Sequence, residues 1–230
     1  MRTFLLLVLA VALGVLALMR GWIAIPDRLD PWAPLVLDEP PGPFTRWKLG
    51  RLEDDRQACA RLLESSGFAA VAVDDRRGDD GCGWRNAVRI GPGSDPAVGS
   101  AFTLQCAAAG ALALWEHQVL QPAARRRFGR GVRALEHYGS YACRNVYGRA
   151  SGRRSQHATA NAFDLAGVIL DDGRRIRVAG DWDGGDEEAA FLREIHDGAC
   201  GLFNGVLGPD YNRAHRDHFH LDRGGYRICR

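Results

Sequence analysis

Three of the seven histidines lie within six positions of one another near the C-terminus, in the stretch HRDHFHLD. If the end of this stretch is a β-strand, His218, His220 and Asp222 share one face, because successive side chains of a strand point to opposite sides. Phe219 and Leu221 would then face the core. Imidazoles and carboxylates bind metal ions and carry protons, so this segment is the first candidate for a functional site.

A second stretch, SQHATANAFD, carries the same kinds of groups. We predict a strand here on which Ala160, Ala162 and Asp164 share one face. His157 lies just before it, in the segment that enters the strand. If this strand pairs with HFHLD, the side chains of His157, Asp164 and His220 converge. Two imidazoles and one carboxylate, with a fourth position open to water, form the ligand set of a catalytic zinc ion, so we predict a Zn²⁺ site.

The chemistry that such a site favours is hydrolysis. Zinc lowers the pKa of a bound water to about 7, which makes hydroxide accessible at neutral pH. The reaction then needs a nearby base to take the proton and a cation or hydrogen-bond donor to stabilise the developing oxyanion.

The two motifs together resemble known families. SxHxxxxAxD followed far downstream by HxH resembles the lysostaphin and D-Ala-D-Ala metallopeptidase group, and the wider form HxxHxH is similar to its penicillin-insensitive murein endopeptidases. The longer pattern runs from SYACR through SQHATANAFDLAG and GACGLF to VLGPDYNRAHRDHFHLD. It resembles the extensin-like C-terminal domain of bacterial proteins, over roughly residues 59–229.

This resemblance implies roles for individual residues. His157, Asp164 and His220 match the three zinc ligands of the metallopeptidase group. His218 matches the first histidine of HxH, which acts there as a base or as a stabiliser of the transition state. His215 matches an additional active-site histidine of the murein endopeptidases.

Two further residues match catalytic groups of the same families. Asp217 stands three positions before the last ligand, where some D-Ala-D-Ala peptidases carry an acidic general base. We favour His218 as the base, because the pleat of the strand places it beside His220, whereas Asp217 needs a bend at the start of the strand. Arg144, in SYACR, resembles the arginine that steadies the oxyanion.

Three features near the motifs leave alternatives open. The metallopeptidase group usually has Gly three positions after the first ligand, and the Ala160 methyl group here either narrows the cleft or is harmless. Arg149, Arg153 and Arg154 either meet the carboxylates of a substrate peptide or belong to a plain exposed loop. Asp222 either orients a ligand histidine or is an ordinary carboxylate at a strand end, which we prefer.

The bulk composition is that of an ordinary globular protein. The chain has 230 residues, of which 46% are hydrophobic and 25% charged, enough for one good-sized domain or a domain with a small appendage. A net charge of +2 gives no electrostatic reason to expect a nucleic-acid partner. The arginines of ARRRFGRGVR do not change this, because such runs are usually solvated faces.

The N-terminus carries a targeting or anchoring segment. Sixteen uncharged, mostly aliphatic residues, 4–19, lie between Arg2 and Arg20. As a helix they would span about 24 Å, short of a hydrocarbon core of ~30 Å. We predict that residues 1–22 are a cleaved signal peptide or a retained anchor. The lack of a clean small-x-small cleavage site favours an anchor in the inner membrane. Either way, the rest of the chain is expected in the periplasm.

The cysteines agree with export. They are six in number and widely spaced, with no CxxC pair: Cys59, Cys82, Cys106, Cys143, Cys200 and Cys229. This pattern argues against a zinc ribbon or a thioredoxin-type site and predicts up to three disulfides. Fifteen pairings are possible, and the sequence does not choose among them.

The remaining patterns predict an α+β domain over residues 51–230, behind a Pro-rich linker or extended arm over residues 23–50. Apolar periodicity and Asp186 as an N-cap predict three helices, Leu52–Ser66, Leu104–Val119 and Glu187–Ala199. Strand patterns occur in AAVAVDD, GSYACR, ANAFDLAGVIL, RRIRVAG and HFHLD, with a hairpin turn at Asp172-Gly173. We expect a small, mostly antiparallel sheet with flanking helices, stabilised by disulfides. The resemblance implies a D-Ala-D-Ala metallopeptidase-like fold.

Taken together, these features predict a zinc-dependent peptidase, a murein endopeptidase or carboxypeptidase, that hydrolyses peptidoglycan stem peptides or cross-links. The alternative is a non-catalytic module on the same fold that binds the cell wall, with a structural zinc or none.

Overall fold

The computed structural model describes residues 1–22, 25–78 and 80–230. The N-terminal apolar run forms one helix, α1 (Arg2–Met19). Among the described residues it is the one helix long and apolar enough to cross a membrane, with a mean hydropathy of 2.4, and none of that stretch is buried. By length and composition, α1 is compatible with a signal peptide or an anchor.

Six further helices of the described residues belong to the folded domain. They are α2 (Thr45–Arg51), α3 (Arg56–Glu64), α4 (Cys106–Trp115), α5 (Gln121–Phe128), α6 (Val178–Asp181) and α7 (Glu187–Ala199). Every residue of α4 is buried, because its alanines and leucines offer no polar face to water. One π-helical turn, Glu116–Leu120, continues α4 into α5.

Eleven strands are described in three sheets. They are β1 (Ala70–Val73), β2 (Arg76–Arg77), β3 (Gly83–Trp84), β4 (Ala87–Ile90), β5 (Phe102–Gln105), β6 (Val132–Gly139), β7 (Ala162–Leu170), β8 (Arg175–Arg177), β9 (Gly205–Leu207), β10 (Phe219–Asp222) and β11 (Ile228–Cys229). The main sheet has the order β11-β9-β10-β7-β6, and β8 also pairs with β7. A smaller sheet has the order β1-β4-β5, and β2 pairs with β3. All of these pairs are antiparallel except β9 with β11. The predicted α+β class, with a small antiparallel sheet and flanking helices, is confirmed.

The pairing of β7 with β10 sets the register of the main sheet. His220 lies directly opposite Asp164, and Phe219 lies opposite Leu165. Phe219, Leu165 and Leu221 are completely buried. A slip of one residue would bring these apolar side chains to the opposite face, so burial of the core holds the polar pair in register.

Three disulfides use all six cysteines, as the spacing predicted. Cys59–Cys106 joins α3 to the start of α4, and Cys82–Cys143 joins the β2–β3 hairpin region to the segment after β6. Cys200–Cys229 joins the end of α7 to β11. Each such cross-link typically contributes about 2–4 kcal/mol, mainly by restricting the unfolded chain.

The helix predictions are confirmed with shifted boundaries. Glu187–Ala199 is helical as predicted, and the Asp186 side chain accepts a hydrogen bond from the Ala189 backbone N–H at its start. The helix predicted from Leu52 begins at Arg56, because Asp55 caps it by accepting from the Ala58 N–H. The helix predicted from Leu104 begins at Cys106, since Leu104 belongs to β5.

The predicted arm lies on the domain. Its last residues form α2, in which Leu49 is completely buried, and Leu37 is also part of the core. The arm is therefore tied to the domain by apolar contacts and by a hydrogen bond from the Gln118 side chain to the Leu37 carbonyl.

Most predicted strands are present, and one is wrong. AAVAVDD, ANAFDLAGVIL, RRIRVAG and HFHLD each contain a strand, and β7 and β8 turn at Gly173, which has a φ of 91°. GSYACR is not a strand: β6 ends at Gly139, and the chain then leaves the sheet edge to enter the site region. Ala160 does not lie on β7 either, because the strand begins at Ala162.

Candidate metal centre

The candidate ligands lie in a cleft of about 360 Å³. Side chains from two segments line it, residues 144–157 and residues 207–226, together with Asp164 of β7. This volume is in the range of pockets that bind small ligands or peptide side chains. The two motifs recognised in the sequence therefore face one shared space.

The three predicted ligands converge in this cleft. His157 Nε2 lies 3.1 Å from Asp164 Oδ2 and 3.1 Å from His220 Nδ1, and His220 Nδ1 lies 2.9 Å from Asp164 Oδ1. One ligand atom from each residue can be chosen so that all lie within 4.8 Å of one another. All three side chains are buried, with exposures of 4%, 8% and 8%.

The far side of each imidazole is also occupied by a hydrogen-bond acceptor. His157 Nδ1 donates to the Ser140 carbonyl at 2.9 Å. His220 Nε2 lies 3.0 Å from Asp222 Oδ2, and Asp222 Oδ1 accepts from the Gly224 backbone N–H. Imidazoles held in this way present their other nitrogen as a metal ligand, so the donor set fits a divalent ion such as zinc.

Burial and the contacts between Asp164 and the histidines shift the pKa values of the centre in opposite directions. Burial alone would raise the pKa of Asp164, but hydrogen bonds with His157 and His220 outweigh it and hold that pKa well below its usual range. Burial alone would lower the pKa of His220, but its hydrogen bonds with Asp164 and Asp222 raise that pKa to about 9. A proton on His220 Nδ1 and a metal ion would compete for the same nitrogen.

A short 3₁₀ turn positions His157. The turn covers Gln156–Thr159, and the Ser155 hydroxyl caps it by accepting from the His157 backbone N–H. Ala160 ends the turn in the left-handed region at a φ of 52°, a conformation that suits glycine. Ala160 is completely buried and does not line the cleft. Its methyl group therefore does not narrow the site, and the cost of Ala over Gly is backbone strain.

His218 lies at the edge of the centre, just before β10. Its Nε2 atom is 3.7 Å from Asp164 Oδ1, and its Nδ1 atom is 2.9 Å from Asp217 Oδ1. The Tyr138 ring packs edge-on against it at 5.6 Å between centroids. Asp217 itself lines a separate groove with Glu136 and Tyr138. The geometry therefore makes Asp217 a partner of His218 and places only the imidazole in the cleft.

His215 and Arg144 also line the cleft. The His215 ring lies 5.3 Å from the His218 ring, and its Nδ1 atom is 2.9 Å from the Asn212 side-chain oxygen. Burial, together with the nearby His220 and His218, lowers the pKa of His215 to about 4. Arg144 has an exposed side chain, and its backbone carbonyl accepts from the Ser155 N–H.

Some residues of the site have a larger part in it than their sequence pattern indicates. The sequence favours an ordinary strand-end carboxylate at Asp222, yet this residue is 3% exposed and hydrogen-bonded to the candidate ligand His220. The alternation of His218, His220 and Asp222 already carried that signal. The sequence did not predict the contact from the Ser140 carbonyl or the three tyrosines that line the cleft, Tyr147, Tyr211 and Tyr226. No local pattern marks them, because they reach the cleft through loops.

A second group of histidine and cysteine side chains lies close together for a reason other than metal binding. His196, Cys200 and Cys229 lie close together, but the two cysteines are joined in a disulfide. A disulfide offers no thiolate, so this cluster lacks the ligands that a zinc site needs.

Comparison with known families shows what the chain is related to. The model of a family described as "Extensin-like protein C-terminus" matches residues 57–230, which is well over half of the chain and includes every residue of the candidate centre. The chain belongs to the extensin-like C-terminal family. No curated protein and no solved structure shows a significant match. In this extensin-like domain, the match begins inside α3, and the segments before it are α1, the arm and α2.

Proposed function

We propose that the extensin-like domain is a zinc-dependent peptidase that acts on peptidoglycan stem peptides or their cross-links in the bacterial periplasm. The observation that carries this proposal is the meeting of His157, Asp164 and His220 in one cleft. The similarity of their motifs to the lysostaphin and D-Ala-D-Ala metallopeptidase group supplies the reaction class.

The side chains divide into a metal-holding set and a set that faces the substrate. His157, Asp164 and His220 would hold the ion, with Ser140 and Asp222 fixing the two imidazoles from behind. Zinc bound there would supply a Lewis acid for the scissile carbonyl and a water of lowered pKa.

His218 is suited to act as the general base and then as the general acid. Its Nδ1–H group donates to Asp217, so the lone pair of its Nε2 atom is on the side of Asp164 and the cleft. An imidazole oriented in this way by a carboxylate can accept a proton from a water and pass it to the leaving amine. Asp217 then acts through His218 and does not contact the substrate.

His215 and Arg144 complete the cleft wall. The His215 imidazole packs between the rings of Tyr211 and His218 and can contribute a hydrogen bond to the reacting peptide. The exposed guanidinium of Arg144 offers fixed positive charge for the oxyanion.

The N-terminal helix and the disulfides support an exported location. Three disulfides in a chain of this length are typical of oxidising compartments such as the periplasm. An apolar helix at the N-terminus would direct export, and if retained it would hold the domain at the inner membrane.

The test combines metal analysis with a digestion assay. Purified protein is expected to contain about one zinc per chain and to release soluble peptides from purified sacculi, detected by mass spectrometry. His220→Ala is expected to lose both the zinc and the peptide release. His117→Ala serves as the matched control, because His117 lies outside the cleft and pairs with Asp38 at the surface.

Two outcomes would go against the proposal. Sacculi that retain the protein without releasing peptides would indicate a cell-wall-binding module instead of a peptidase. Peptide release that persists in the zinc-free His220→Ala protein would separate the activity from this centre.

A further inference from the structure

Arg153 and Tyr226 form a contact pair in the cleft. Arg153 Nη2 donates to the Tyr226 hydroxyl at 2.8 Å, and the guanidinium carbon lies 4.7 Å from the centre of the Tyr226 ring. Both side chains line the same cleft as the candidate metal ligands. Stacking and the hydrogen bond together hold the guanidinium in one orientation before any ligand arrives.

The charge of Arg153 is not neutralised by a carboxylate within the described parts of the chain. Its neighbour Arg154, by contrast, is held by the Asp80 backbone carbonyl and the Asn145 side-chain oxygen, and its guanidinium lies 3.8 Å from the Asp80 carboxylate. Arg153 donates only to a neutral phenol. It therefore retains most of its N–H donors and its full charge for a ligand.

The distribution of charged side chains in the cleft also favours an anionic ligand. Among the residues that line it, the carboxylates are Asp164 and Asp222, and both are hydrogen-bonded to His220. The wall formed by residues 144–156 contributes Arg144 and Arg153, neither of which pairs with a carboxylate in the described part of the chain, and Arg154, which lies 3.8 Å from the Asp80 carboxylate. A concave wall with excess positive charge attracts anionic groups, and the planar fork of an arginine matches a carboxylate with two parallel hydrogen bonds.

A nearby arginine provides an internal comparison. Arg149 lies in the same loop and also stacks on a tyrosine, Tyr147, at 5.7 Å. It does not line the cleft. The sequence left the roles of these loop arginines open, and the structure separates the one that faces the site from the one that does not.

We propose that Arg153, oriented by Tyr226, binds a carboxylate of the ligand and makes the cleft selective for acidic peptides. This subsite is distinct from Arg144, which is assigned to the oxyanion. The inference rests on the proposed function only in taking a peptidoglycan peptide as the ligand, since such peptides carry free carboxylates.

The experiment measures binding instead of turnover. The probe is a disaccharide tetrapeptide from peptidoglycan with free carboxyl groups, compared with the same compound after its carboxyl groups are converted to amides. Full-length protein in detergent, carrying His218→Ala to prevent consumption of the probe, is titrated by calorimetry. We expect the acid form to bind about tenfold tighter or more, as for loss of a hydrogen bond to a charged group.

Variants locate the preference. Arg153→Gln in the same background is expected to bind the acid and the amide equally. Tyr226→Phe keeps the ring but removes the hydroxyl, and it is expected to reduce the preference without abolishing it. Arg149→Gln, the matched control, is expected to keep the full preference. Because Arg153 is exposed, its replacement should leave the melting temperature unchanged, which is checked in parallel.

Each remaining outcome overturns the inference. If the protein with Arg153 intact binds the acid and the amide equally, or binds neither, the cleft has no carboxylate subsite. If the preference for the acid survives Arg153→Gln, the carboxylate binds to a residue other than Arg153. The two proposals fail separately. Acid-selective binding without cleavage of sacculi by the wild-type protein would support the carboxylate subsite and contradict the peptidase proposal. Cleavage of sacculi without a preference for the acid form would support the peptidase proposal and contradict the carboxylate subsite.

Discussion

Asp222 Oδ2 lies 3.0 Å from His220 Nε2, on the side of the imidazole that faces away from Asp164. The carboxylate is 3% exposed, and its other oxygen accepts from the Gly224 N–H. Asp222 therefore fixes the ring orientation of a candidate ligand, with Nε2–H donating to Asp222 and Nδ1 directed to the centre.

This relationship predicts the effect of replacing Asp222 by Asn. The amide of Asn can still contact the ring, but it lacks the negative charge that makes the imidazole a better metal ligand. We expect Asp222→Asn to weaken zinc affinity by about 10- to 100-fold, measured by competition with a chromophoric chelator. Asp217→Asn is the control, because Asp217 contacts His218 and not a ligand. Equal zinc affinity in both variants would remove Asp222 from the metal site.

The second prediction separates proton transfer from metal binding. His218→Ala is expected to retain zinc, because the three candidate ligands remain, and to lower the rate of peptide release from sacculi by about 10²- to 10⁴-fold. Asp217→Asn is expected to cause a smaller loss, since it only orients His218. Rates are measured by chromatography of released peptides. A His218→Ala protein with the wild-type rate would assign the base elsewhere.

The third prediction concerns Ala160, the strained residue that follows the turn of the candidate ligand His157. Ala160 has a φ of 52° and is completely buried. Glycine there would relieve about 1–2 kcal/mol of backbone strain, but it would lose a buried methyl group worth about 0.8 kcal/mol and gain freedom in the unfolded chain. We expect Ala160→Gly to change the free energy of unfolding by less than about 1 kcal/mol.

A larger residue at the same position provides the contrast. Ala160→Val places a β-branched side chain in the left-handed region and overpacks a filled core, so we expect a loss of about 2 kcal/mol or more. Both variants are measured by urea denaturation. Equal stability of the Val and Gly variants would show that neither backbone strain nor packing limits this position.

The fourth prediction concerns the pH dependence of stability. Burial raises the pKa of Glu116, in the π-helical turn. Its carboxylate therefore disfavours the folded state, and this penalty appears as pH rises above the pKa of the unfolded chain, about 4.3. We expect Glu116→Gln to stabilise the protein more at pH 8 than at pH 4, measured as the shift in the urea midpoint.

Glu194 provides a control of opposite sign. Burial alone would raise its pKa, but hydrogen bonds from Arg127 and Arg126 outweigh this and lower it. Its ionised form therefore contributes stability that is present above the unfolded pKa and is lost as pH falls through the folded pKa. Glu194→Gln should destabilise the protein at pH 8 and have less effect at acid pH. Shifts of the same sign in both variants would contradict these assignments.

Local elements of the fold could be predicted where neighbouring residues decide them. Asp186 and the apolar spacing that follows it define α7 to the residue, and Gly173 defines the turn between β7 and β8. The prediction of GSYACR as a strand was wrong: β6 ends at Gly139, and Cys143 in this segment is bonded to Cys82, 61 positions earlier in the chain. No window of neighbouring residues contains that constraint.

Residue types and their spacing were enough to nominate His157, Asp164 and His220, because SxHxxxxAxD and HxxHxH occur together in one chain. Either histidine pattern alone would be weak evidence for a ligand. The meeting of those residues was decided by the tertiary structure. Asp164 and His220 are 56 positions apart, and they face each other only because burial of Phe219, Leu221 and their partners sets the register of β10 on β7. The pairing of the cysteines, the inward turn of Asp222 and the stacking of Arg153 on Tyr226 likewise arise from contacts between distant segments. Such contacts form only when the core packs, so they cannot be derived from local sequence.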